Sequence, residues 1–218
     1  MRHAFHDQLD GIFDDLAGIC RKVESAVHLA TQALLTGRVD IAEQVISGDA
    51  EIDRDRERVE DTALSVLSLQ APVAGDLRTV VSALRMVSEL ERMGDLSVHV
   101  AKIARLRTPN IAVPEQAHST IARMAEVAED MVRRTARIIE DRDVDQAAEL
   151  QRDDVEMDQL RRASFTELLG PGWTAGVEAA VDVALLGRYY ERIADHAVTV
   201  AKRVVFVVTG ESPETLGA

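Results

Sequence analysis

The sequence predicts an all-α protein: six helices forming two tandem three-helix bundles related by a pseudo-two-fold. Three observations carry this. Proline and glycine are nearly absent from long stretches and gather near Gly37, Pro72, RTPNIAVP, Asp141 and GPG, which divides the chain into six helix-length segments. The apolar residues are mainly Ala, Val, Leu and Ile with 3% aromatics, a balance suited to helix packing rather than to a sandwich or barrel. Finally, ERMGDLSVHVAK, starting at Glu91, returns as ERIADHAVTVAK, starting at Glu191, with seven of twelve positions identical. Two unrelated dodecamers share about one position. The simplest reading is a duplicated unit, residues 1–108 and 115–218, joined by TPNIAVP.

In chain order, the breaks predict helices over 4–35, 40–69, 73–106, 115–140, 144–169 and 174–209. The second opens on VDIAEQVI, with Asp40 as N-cap and Glu43 three residues on, a capping-box pattern. The fifth opens on VDQAAELQ in the same way, with Ala148 where Glu43 stood. Placing GDAEID over RDDVEMD aligns Asp49 with Asp154, Glu51 with Glu156 and Asp53 with Asp158 at an offset of 105, which a few residues of turn reconcile with the 100 of the long repeat.

A net charge of −13 argues against non-specific binding to nucleic acid or anionic lipid, because attraction to phosphate needs a surplus of Lys and Arg. Acidic clusters suit cations or basic protein surfaces instead. Cys20 is the single cysteine, so no internal disulfide forms, and LAGICRKV reads as the setting of a small core residue. The start, MRHAFHDQLDGIFDD, is too acidic for a secretory signal, and VVFVVTG falls far short of the ~20 apolar residues a membrane span needs. These features predict a cytoplasmic protein that reaches a membrane only through partners.

The acidic positions break the helical pattern. Steps of three and four along the third helix give Leu77, Val80, Leu84, Val87, Glu91, Gly94, Val98 and Ala101. The sixth gives Val177, Ala180, Ala184, Gly187, Glu191, Ala194, Val198, Ala201 and Val205, so a glutamate interrupts both apolar seams at the same place. Asp95 and Asp195 follow four residues on, displaced by about 40° on the same face. Asp49 lies between Val45 and Ile52 on the second helix, and Asp154 between Leu150 and Met157 on the fifth. Each bundle thus aims three carboxylates at one edge of its core. Like charges at i, i+4 cost roughly 0.2–0.5 kcal/mol even when exposed, and desolvation adds several more.

Three arrangements offset that cost: an ionic network in which Arg92, Arg192, Arg78 or Lys102 folds over the seam, a polar groove open to water, or a polynuclear metal site. His99 extends the first series as a further candidate ligand, whereas Thr199 ends the second. His196, next to Asp195, points off that face. Gly94 and Ala194, between the two acids of their motifs, permit close approach of a neighbouring helix or ligand.

QAPVAGDLRTVVSALRMVSELERMGDLSVHVAKIA and LLGRYYERIADHAVTVAKRVVFVVTGE resemble the PhoU family, as do VISGDAEID, the DLR of Asp76 to Arg78 and the VVTGE of Val207 to Glu211. The resemblance covers nearly the whole chain. It implies a cytoplasmic, non-enzymatic, homodimeric regulator that restrains the phosphate-starvation response when phosphate is plentiful. Its implied partners are the ATP-binding subunit of the phosphate importer and the phosphate sensor histidine kinase. Some members of the family hold iron or zinc clusters through these acidic motifs, which carries over here to Glu91 with Asp95 and to Glu191 with Asp195, and others show no metal. Thr199, where Asn often stands, and Gly176, opposite Asp76, set the second half apart.

Two other functions compete. A di-iron carboxylate enzyme asks for Glu-x-x-His on each of two helices, and that spacing occurs once, Glu115 to His118, away from the repeated acids. No Ser-His-Asp order, phosphate-cradling Gly loop or Cys-His pair is legible. A metal-free helical adaptor would use the acids to bind a basic partner.

Overall fold

The computed structural model describes residues 2–211, so the outer ends of the two predicted units, residue 1 and residues 212–218, lie outside the described residues. Six helices follow in order: α1 (Arg2–Thr36), α2 (Val39–Gln70), α3 (Ala74–Arg107), α4 (Glu115–Asp141), α5 (Val144–Leu168) and α6 (Gly176–Thr209). Gly37 and Gly210 take left-handed backbone at φ +67° and +82°, which ends α1 and α6. Ala71 and Ala74 do the same on either side of Pro72, which lacks the N–H that would continue α2.

Helices α1, α2 and α3 pack on one another, and so do α4, α5 and α6, giving the two tandem three-helix bundles. The halves join mainly through α1 against α4 and α3 against α6, with α2 and α5 outside. Both joining pairs run antiparallel. Arg107, at the end of α3, meets Asp182, near the start of α6, at 2.6 Å, while Arg78, at the start of α3, donates to the Val207 carbonyl at 3.1 Å. His28 of α1 meets Glu129 of α4 at 3.1 Å, and Arg142 beyond α4 returns to Asp10.

One continuous core fills both bundles, and the repeat is visible in it. Leu16, Ile19, Val23, Val27 and Leu34 of α1 are buried, as are Ile121, Met124, Ala128, Val132 and Ile139 of α4. Ala83, Met86, Leu90 and Met93 of α3 correspond to Val183, Leu186, Tyr190 and Ile193 of α6, all buried. Each large aliphatic side chain so buried contributes about 1.5–3 kcal/mol. Cys20 is buried with its thiol 3.3 Å from the Val132 carbonyl, and desolvation pushes the thiol far above its ordinary pKa, as a core cysteine requires.

Three sequence expectations need correction. Asp40 is not the N-cap of α2. Arg38 is, in extended backbone, and Asp40 in the first turn accepts two Arg38 hydrogen bonds at 2.8 and 2.6 Å. In α5 the cap is Asp143, which accepts from the Gln146 backbone N–H at 3.0 Å, rather than Asp145. Leu77 and Val177 are 41% and 81% exposed, because the first turns of α3 and α6 stand beyond the shared core.

Candidate functional site: two rows of carboxylates

Glu91, Asp95 and His99 lie along α3, and Asp49 faces them from α2. The approach depends on Gly94: a Cβ there would sit 3.1 Å from Ile52 Cδ1 and 3.6 Å from Asp49 Oδ1. Glycine therefore lets α2 settle onto α3 beside the acids. Burial pushes the Asp49 carboxyl above the ordinary range, and the neighbouring charges of Asp95 and Asp53 add to this, against weaker pulls from Lys102 and His99. Glu91 is raised in the same way, by burial and then by Asp95, with Arg56 opposing. The sequence-predicted acids of this half thus share one electrostatic environment, joined by Asp53. His99 is exposed and stacks on Tyr189 of α6, ring centroids 5.3 Å apart at 23°.

In the second half Asp154 of α5 faces Asp195 and Glu191 of α6. Burial first, then Asp195, Asp158 and Glu191, push the Asp154 carboxyl up to about 6. Asp195 is raised by burial and by Glu191. Glu191, only 6% exposed, differs from its counterpart: Arg161 of α5 reaches it at 2.8 Å, and Arg188, one turn earlier on α6, binds its other oxygen.

The arginines that neutralise Glu191 were not those the seam suggested. Arg92 reaches Glu89 at 3.8 Å, Arg192 stands 3.5 Å from His196, and Arg78 goes to α6. The signal was present in the repeat, since Arg161 is the counterpart of Arg56 at the offset of 105 and Arg188 that of Ser88 at 100. Arg56, however, turns to both oxygens of Glu60 at 3.0 Å, and Ser88 spends its hydroxyl on the Leu84 carbonyl. Among the described residues no ion pair is made by Glu91, Asp95 or Asp49.

The seven candidate ligands therefore fall into two rows, Asp49, Glu91, Asp95 and His99 in one half and Asp154, Glu191 and Asp195 in the other. Among the described residues no three His, Cys, Asp or Glu side chains converge into a metal-ligating group. A further polar contact, unannounced by the motif, joins the halves: buried His196 Nδ1 lies 2.6 Å from Glu89 Oε2, and this bond holds the Glu89 carboxyl below its usual range. Its counterparts in the repeat are Leu96 and Tyr189, so nothing in the pattern marked it. The DLR and VVTGE segments also meet. Arg78 lies over Phe206 at 5.7 Å, and a Cβ on Gly210 would be 2.9 Å from its guanidinium.

A family model described as the PhoU domain matches the chain twice, over residues 16–104 and 121–204. A phosphate-specific transport system accessory protein PhoU homolog 2 of Mycobacterium tuberculosis (strain ATCC 25618 / H37Rv) is 46% identical over 213 residues, 98% of this chain and all of the relative. PhoU homolog 1 of Mycobacterium leprae is 45% identical over 98% of this chain and 96% of its own, and a homolog in Deinococcus radiodurans is 32% identical over 96% and 99%. The crystal structures of PhoU from Streptococcus pneumoniae and from Pseudomonas aeruginosa superpose with TM-scores of 0.85 at 24% identity, covering 95% of this chain and 98% and 100% of theirs.

Proposed function

Because this chain belongs to the PhoU family, we propose that it is a non-catalytic accessory of phosphate-specific transport that restrains phosphate uptake and the phosphate-starvation response. The observation that carries this is likeness over the whole chain to proteins bearing that accessory name. No helix among the described residues is long and apolar enough to cross a membrane, and the protein acts on the importer by docking on its components. The partners are the importer's ATP-binding subunit and the phosphate sensor kinase, both met in the cytoplasm.

The first carboxylate row is the surface that signals. Its acids are half-buried or exposed, repel one another and keep no guanidinium of their own, so a cation from outside relieves them. Glu91, Asp95 and Asp49, with His99 at the end of the row, would hold iron or zinc if their side chains closed on it. The metal would supply positive charge, and the chain's own part is to fix the α2–α3 surface presented to the partner. The second row is a poorer host, since Glu191 is already engaged by Arg161 and Arg188. A basic partner surface without metal is the competing occupant of the first row, whose Asp95 and His99 are exposed along α3.

The test is a chromosomal deletion. A strain lacking the protein should express a phosphate-starvation reporter in high phosphate and take up phosphate without restraint, and the intact chain should restore both. Normal silencing in the deletion strain would contradict the proposal. Metal analysis of untagged protein then separates a metal-loaded first row from a metal-free adaptor.

A further inference from the structure

Ten of the fifteen large apolar side chains exposed among the described residues gather at two places, the α2–α3 turn and the α5–α6 turn. At the first, Leu69 is 76% exposed and Val73 73%, with Leu64, Leu77 and Val81 beside them. At the second, Leu169 is 85% exposed and Val177 81%, with Phe165, Val181 and Leu185. The repeat pairs them: Val177 and Val181 stand where Leu77 and Val81 do at the offset of 100, and Leu169 where Leu64 does at 105. Both places are poor in charge. Residues 62–84 hold only Asp76 and Arg78, and residues 163–187 only Glu167, Glu178 and Asp182, the last two neutralised by Arg107. Because α3 and α6 run antiparallel, the two turns lie at opposite ends of the molecule, about 50 Å apart along the 34 residues of α3. We propose that these ends are equivalent docking sites, through which one chain bridges two equal apolar acceptors on a two-fold symmetric protein partner.

The backbone holds one end out on purpose-built geometry. Ala71 and Ala74 take left-handed φ of +43° and +49° on either side of Pro72 and extended Val73. Side chains rarely accept that region without strain, and what the strain holds here is a valine in water.

Size and symmetry choose the occupant. Each end leaves on the order of 500 Å² of apolar surface in water. Covering one end buries about 1,000 Å² counted over both partners, the range of a weak, transient contact. One continuous core joins the two ends, so once the first has docked the second binds intramolecularly and the pair holds firmly. Further copies of this chain could not close that arrangement, since a copy on each end always leaves another end open and the assembly grows without limit. A partner that is itself two-fold closes it. Its acceptors are apolar, unlike the basic surface that suits the first carboxylate row.

Because this bridging rests on the proposed docking to the phosphate importer, the probe is the intact importer in detergent micelles, titrated with the full-length chain. Wild type should bind at one chain for two ATP-binding subunits. Leu69→Glu with Val73→Glu at one end, or Leu169→Glu with Val177→Glu at the other, each checked for helicity, should weaken binding roughly 100-fold. All four changes together should abolish it. Val155→Glu, which adds the same charge at an exposed site on α5, should leave it unchanged. One chain for each ATP-binding subunit, or a folded four-site variant that binds like wild type, would overturn the bridging and leave the docking on the importer standing. So would loss confined to one end, or end variants that act by splitting a self-associated chain, which sedimentation of the chain alone reads. A wild type that does not bind the importer would overturn both.

Discussion

Glu91 and Glu191 occupy the same place in the two halves, yet their surroundings differ by two guanidinium groups. Glu191 is buried between Arg161 and Arg188. Glu91 is partly open, Arg56 has turned away to Glu60, and Ser88 replaces the second arginine. One copy of the motif closes on itself as a structural ion pair, while the other keeps its repulsion. Duplication supplied the same acids twice, and a few changes around them separated a structural row from an unsatisfied one.

The largest expected contrast is in stability. Glu191→Ala strands two arginines against the core edge and should cost about 2 kcal/mol, less than a fully buried pair because both arginines are partly solvated. Glu91→Ala should change stability by less than ~0.5 kcal/mol, since the gain in helix propensity and lost repulsion offset any lost contact. Urea denaturation of both variants makes the comparison, and equal costs would erase the distinction between the rows.

Asp154 sharpens it through pH. Its carboxyl is raised from 3.8 to about 6 by burial and acidic neighbours, so the folded protein binds the proton more tightly than the unfolded chain. Its favourable contribution is complete below the unfolded value and lost as pH rises through about 6. Asp154→Asn should therefore match wild type near the acid end of this window and exceed it by about 1 kcal/mol above it, a figure reduced for partial solvent exposure. Denaturation curves on either side of the window read this out.

The smallest effect transplants one half's chemistry into the other. Ser88→Arg should give Glu91 the partner that Arg188 gives Glu191, stabilising by about 0.5 kcal/mol. It should also lower the affinity of the first row for any added cation, which titration calorimetry with zinc or ferrous ion would show.

The helices were legible in the sequence because Pro72, Pro114 and the glycines punctuate long apolar repeats, and the duplication was legible because ERMGD and ERIAD survive almost side by side in composition. The carboxylate rows were legible too, since a glutamate in an apolar seam stands out. Caps were misplaced because Arg38 and Asp143, just before the expected positions, took the N-terminal geometry. The different fates of Arg56 and Arg161 trace to the residue four positions on: Glu60 takes Arg56 within α2, whereas Phe165 stands at the corresponding place in α5 and leaves Arg161 to Glu191. The Glu89–His196 bond was silent for another reason: it forms between halves, and neither half's repeat contains it.

The central claim is that the first row signals and the second is structural. The most direct test is a phosphate-starvation reporter in high phosphate, in strains whose only copy carries Glu91→Ala with Asp95→Ala, or a wild-type first row. The double variant should fold, with helicity and melting temperature near wild type because Ala favours helix, yet leave the reporter on at levels approaching the deletion strain. A folded double variant that still silences the reporter would contradict the account and place the regulatory surface elsewhere.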